Sequence, residues 1–89
     1  MKTIFKYPLE VTDDQEIEVP ECFNPLSVQV QRGSPCLWAE VDPGCPRTIK
    51  RQILIVGTGH PLPDDHDVWD YIGTFQMYDG ELVFHAYWK

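Results

Sequence analysis

Residues 26–41, LSVQVQRGSPCLWAEV, set the fold class. Leu26, Val28 and Val30 alternate with Ser27, Gln29 and Gln31, so apolar and polar side chains leave opposite sides of an extended backbone. After Arg32-Gly33-Ser34-Pro35, the residues Leu37, Ala39 and Val41 continue the apolar set. The pattern predicts a β-hairpin with one buried face. It sends Trp38 to the other face, between Cys36 and Glu40, where another element must cover it or leave it exposed.

Downstream, Asp42-Pro43-Gly44-Cys45-Pro46 reads as a turn, because two prolines remove donors and the glycine admits positive φ. Gln52–Val56 contains the unbroken apolar stretch Ile53-Leu54-Ile55-Val56, which predicts a central strand buried on both faces. Tyr78-Asp79-Gly80-Glu81 places Asp-Gly at a tight two-residue turn. Counting back from it, Met77 opposes Leu82, Gln76 opposes Val83, Phe75 opposes Phe84, Thr74 opposes His85 and Gly73 opposes Ala86. That register gathers Tyr71, Phe75, Met77, Leu82, Phe84 and Trp88 on a core face, with Ile72, Thr74, Gln76, Val83, His85 and Tyr87 on the other.

Upstream, residues 2–9 form a strand with Phe5, Tyr7 and Leu9 on one side and Ile4 and Lys6 on the other. Glu16–Val19 is a shorter one, ended by Pro20. The expected class is therefore mainly β: a compact antiparallel β-sandwich or partly open barrel of about seven short strands. Asp64 to Trp69 fits one helical turn capped by an aspartate.

With 89 residues, 1–89 is a single domain, and a 43% hydrophobic content that includes Trp38, Trp69 and Trp88 suffices for one small core. No stretch approaches the roughly 20 apolar residues that span a bilayer, and MKTIFKYPLE lacks a leader pattern, which predicts a cytosolic protein. Cys22, Cys36 and Cys45 are odd in number and form no CxxC pair, so reduced thiols are expected rather than a disulfide framework or zinc knuckle. The net charge of -7 argues against direct nucleic-acid binding, which relies on Lys and Arg neutralising phosphates. It suits solubility, and equally an acidic face offered to the basic groove of a nucleic-acid-binding partner.

The segment VGTGHPLPDDHDVWDYIGTF, residues 56–75, reads either as a binding site or as a bent loop. Gly57-Thr58-Gly59-His60 follows a strand but matches neither GxGxxG nor GxxxxGK[ST], and glycines leaving a strand often relieve a bend. Gly57, Thr58, Gly59, His60, Asp64 and Trp69 are the candidate ligand-binding residues. His60, Asp64, Asp65 and His66 carry metal-ligand chemistry without a specific spacing, so no metal is assigned. No evident nucleophile or cofactor loop accompanies them, so no catalytic residue and no cofactor are assigned. His85, opposite Thr74, reads as a satisfied strand histidine.

MKTIFKYPLE, LSVQVQRGSPCLWAEVD, VGTGHPLPDD, YIGTFQ and LVFHAYW together resemble a family of small uncharacterised proteins encoded by phages and prophages, nearly end to end. The resemblance implies a viral accessory protein working in the host bacterial cytoplasm, and it carries over no active residues. The leading expectation is a non-enzymatic binding protein that inhibits a bacterial antiviral defence component, by analogy with small accessory proteins of phages. A second is a sponge for a nucleotide-like immune signal, with backbone N–H groups of the 57–65 loop, Trp38 or Trp69 for stacking, and Arg47, Lys50 or Arg51 for charge. A third is a metal-dependent hydrolase around His60 and Asp64. The partner is then a bacterial host protein or a small nucleotide-like ligand, with no membrane, and unpaired strand edges leave room for a homo-oligomer.

Overall fold

A computed structural model describes all 89 residues as seven strands and one turn of 3-10 helix. The strands are β1 (Thr3–Pro8), β2 (Asp14–Pro20), β3 (Phe23–Gln31), β4 (Ser34–Val41), β5 (Thr48–Gly57), β6 (Asp70–Met77) and β7 (Leu82–Trp88). They form two sheets, ordered β1-β4-β3 and β2-β5-β7-β6, with every pairing antiparallel. The sheets pack face to face as a sandwich and do not close into a barrel.

Register explains the core. Leu37, Ala39 and Val41 of β4 lie opposite Tyr7, Phe5 and Thr3, so the inward face of β4 is fully buried while Phe5 and Tyr7 flank it. In the second sheet Val19, Ile53, Ile55, Phe75 and Ala86 supply the facing layer. Phe23 and Trp88 meet across the two sheets in an edge-to-face contact at 5.5 Å, and the Arg51 guanidinium lies 5.2 Å from the Trp88 ring.

The predicted β6–β7 register holds from Met77↔Leu82 to Gly73↔Ala86, and then a bulge at Ile72 pairs Tyr71 with Tyr87. The extra residue exchanges faces: Ile72 packs against the core, whereas Tyr71, expected inside, is 57% exposed on the outer face. A second bulge between Pro25 and Ser27 does the same to Leu26, which is exposed instead of joining Val28 inside. Leu82 and Val30 are also exposed, because both stand beside hairpin turns at the end of the sandwich. Trp38, on the outer face of its sheet opposite Lys6 and Ser27, is half-buried.

The two sheets approach most closely between β3 and β6, where no ladder joins them. Gly73 permits this: a Cβ there would stand 3.2 Å from Val28 Cγ1 and 3.7 Å from the Val28 nitrogen. Gly73→Ala should therefore lower stability by about 1–2 kcal/mol in urea unfolding, with a smaller penalty in a Val28→Ala background. Equal penalties in both backgrounds would show that the contact is not the cause.

Candidate functional site

The connections divide between the two ends of the sandwich. The β3–β4 turn (31–34), the start of the β5–β6 connection (57–60) and the β6–β7 turn (78–81) gather at one end. The 9–13 connection crosses the same end, with the Leu9 N–H donating to the Pro35 carbonyl and the Ile55 N–H donating to the Asp13 carbonyl. Every residue with positive φ lies here: Arg32, Gly33, Gly59, Tyr78, Asp79 and Gly80. Paired positive φ at Arg32-Gly33 and at Asp79-Gly80 is what a type I′ turn requires, since its twist matches that of the strands it joins.

Tyr78 adds a third left-handed residue, φ 55°, next to the second turn. An aromatic side chain gains nothing locally from that conformation, which costs on the order of 1–3 kcal/mol away from glycine. The residue is 66% exposed at the rim of a cavity of about 460 Å³ between the two hairpin turns, lined by Val30, Gly33, Gln76 and Met77. Exposed Leu82 and Val30 extend the apolar rim. The exposed carboxylates of this end are Glu10 and Asp13 of the 9–13 connection and Asp79 and Glu81 of the β6–β7 turn, against two cations, Arg32 and Lys6, the latter with its ammonium 2.8 Å from Gln31 Oε1. The end thus joins an apolar centre with an acidic border.

Gly57, Thr58, Gly59 and His60 also lie at this end, on the other side of the β6–β7 hairpin. His60 folds back over Gly57, with its N–H donating to the Gly57 carbonyl at 3.0 Å. Thr58 is fixed to the sheet: its N–H donates to the Val83 carbonyl at 3.0 Å, and its hydroxyl lies 2.7 Å from His85 Nε2. His85 Nδ1 is 2.9 Å from the Thr74 hydroxyl, which in turn meets the Tyr71 hydroxyl at 2.5 Å. Either tautomer of the imidazole satisfies both ring nitrogens, so the chain acts as a clamp between the loop and the hairpin.

The remaining candidates, Asp64 and Trp69, lie away from this end. From Thr58 to Trp69 the chain forms a strap over the outer face of β5, where Leu54, Val56 and Trp69 make a second, smaller core with Tyr87 against it. Trp69 is only 9% exposed, and the Lys89 ammonium lies 4.5 Å from its ring, so that ring is already engaged. Asp64 is exposed on the strap and lines none of the cavities at the turn cluster. The helical turn is present as His66–Val68, but no aspartate caps it. Instead Asp65 accepts hydrogen bonds from Trp69 Nε1 at 3.1 Å and Lys89 Nζ at 2.9 Å.

Side chains with metal-ligand chemistry do not converge. His66 pairs with Asp67, Asp65 with Lys89, and His60 stacks on Gly57; no group of three or more His, Cys, Asp or Glu side chains is gathered for an ion. The elements of a nucleotide pocket are likewise dispersed. Arg47 lies in the β4–β5 connection at the opposite end, Arg51 turns inward against Trp88, and Trp38 lies on the other sheet. Tyr78, Val30 and Met77 are not among the residues singled out from the sequence, because an Asp-Gly hairpin turn signals only geometry there.

The Lys89 hydrogen bond, followed by that from Trp69, holds the Asp65 carboxyl below its ordinary value near 3.8. A depressed folded-state pKa stabilises the fold above the unfolded value and loses that contribution as pH falls through the folded one. Asp65→Asn should therefore be less stable than the wild type at neutral pH by urea unfolding. The difference should be small, since the pair is exposed, and should vanish as pH falls well below about 4. A gap independent of pH would assign the effect to the Trp69 contact instead.

No helix of the structure is long and apolar enough to cross a membrane. Comparison with curated proteins and with solved structures gives no match. A family model covers the chain from residue 1 to residue 89, and the chain therefore belongs to the family described as a domain of unknown function, DUF7352.

Proposed function

We propose that this domain acts without catalysis, by binding the basic surface of a protein partner through its three-turn end. The observation that carries the reading is Tyr78, a large aromatic held exposed in a left-handed conformation beside an apolar cavity. Backbone strain at an exposed aromatic is understandable where the side chain anchors a contact, and buried tyrosines are prominent among the residues that dominate binding energy. The acidic border supplies the charge complement and would speed encounter with a basic partner.

The resemblance to phage-encoded proteins supports a finer form of the proposal. The partner is then a component of bacterial antiviral defence with a nucleic-acid-binding groove, met in the host cytoplasm and blocked by an acidic competitor for that groove.

Tyr78→Asn separates recognition from folding, because asparagine tolerates positive φ better than tyrosine does. The variant should unfold at no lower urea concentration than the wild type. Native capture from phage-infected bacteria, followed by mass spectrometry of proteins and released small molecules, should recover with the wild type a stoichiometric host protein that binds nucleic acid. Purified, that protein should bind Tyr78→Asn at least about tenfold more weakly. Equal affinity for the two forms, or a released nucleotide without a protein partner, overturns the reading.

A further inference from the structure

The opposite end of the sandwich carries two of the three cysteines. Cys22 lies in the short β2–β3 connection and Cys45 in the β4–β5 connection, two of the three places where the chain crosses from one sheet to the other. Backbone hydrogen bonds lock these crossings side by side. The Asp42 N–H donates to the Cys22 carbonyl at 3.2 Å, the Cys45 N–H donates to the Asp42 carbonyl at 3.0 Å, and the Glu21 N–H donates to the Arg47 carbonyl at 2.9 Å. The turn from Asp42 to Cys45, tightened by the Gly44 N–H on Asp42 Oδ1 at 2.9 Å, therefore folds Cys45 toward Cys22.

The two side chains thus leave adjacent backbone segments. Hydrogen bonding with Cys45 is the largest influence on the Cys22 thiol and holds it above its ordinary value, with smaller contributions from burial, Asp42 and Glu21. Both thiols are free; Cys22 is exposed and Cys45 half-buried, whereas Cys36 is buried on β4. A cavity of about 170 Å³ opens beside Cys22, lined by Lys2, Phe23, Asn24, Glu40, Val41 and Asp42. It gives a small reagent a path to Cys22.

We propose that Cys22 and Cys45 form a redox-active dithiol, a modification site that low-molecular-weight disulfides of the glutathione class convert to an internal disulfide. The Cys22 thiol loses its proton to solvent and its thiolate attacks one sulfur of the small disulfide. A mixed disulfide forms and the first small thiolate leaves. The Cys45 thiolate, having likewise lost its proton, then attacks Cys22 Sγ, closing the Cys22–Cys45 bond and expelling the second small thiolate. The protein loses two electrons and two protons, and the small disulfide becomes two thiols. The bridge fastens the two sheet crossings to each other and so removes freedom from the unfolded chain.

The test uses the full chain incubated with oxidised glutathione, then unfolded and analysed. Free thiols should fall from three to one, the intact mass should drop by about 2 Da as two hydrogens leave, and peptide mapping should join Cys22 to Cys45. Cys36→Ser should still form the bridge, whereas Cys22→Ser and Cys45→Ser should form no bridge, and Cys45→Ser should carry a stable glutathione adduct on Cys22. The oxidised wild type should unfold at higher urea concentration than the reduced one. A stable glutathione adduct on Cys22 in the wild type, without internal linkage, overturns the proposal, as does a bridge involving Cys36.

Discussion

Burial of β5 on both of its faces is the constraint on which the rest of the structure depends. Ile53 and Ile55 point into the space between the sheets, and Leu54 and Val56 point away from it. A single facing sheet can cover only the first pair. The second pair would leave an apolar stripe in water unless something crossed it, and the 58–69 segment does so with Trp69. Truncating one large buried residue costs about 2–5 kcal/mol, comparable with the whole margin of about 5–15 kcal/mol for a small domain. The strap is therefore part of the fold's stability, and Asp65 anchors it through Trp69 and Lys89.

This division of labour sorts the glycine-rich region into two parts. Residues 57–60 leave the strand at the end where the other turns meet, clamped by Thr58 and His85, and remain accessible. Residues 61–69 turn back along the sheet and end beneath Lys89, whose backbone also pairs with Gln52. Lys89 thus fastens the strap to the strand it covers. Rigid support beneath an accessible set of turns suits the proposed recognition, because the fold has already ordered those turns.

Much of this was legible in the sequence where a side-chain period acts alone. The alternation in residues 26–41, the four apolar residues 53–56 and the Asp-Gly turn led to the right sheet class, the doubly buried strand and the β6–β7 register. The two bulges were not legible. Inserting Leu26 or Ile72 reverses the facing of what precedes it, and neither residue differs in composition from an ordinary strand position. The candidate site was legible only in part, since Gly57 to His60 announce a bend, while the contribution of Tyr78 and Val30 arises from two turns brought together by strand order. Likewise the adjacency of Cys22 and Cys45 follows from two sheet crossings that lie side by side, which cysteine spacing does not encode.

Strand order also fixes when each part can form during synthesis. β1 pairs only with β4, and β2 only with β5, so both strands wait for partners made later. The β3–β4 and β6–β7 hairpins close locally, but the amino-terminal third cannot join a ladder until residues 34–57 have been added. Until then the alternating carboxylates Asp14, Glu16 and Glu18 keep the waiting β2 segment in solution, where like charges resist pairing between nascent chains. The acidity concentrated in that strand protects the polypeptide before there is a folded molecule to protect.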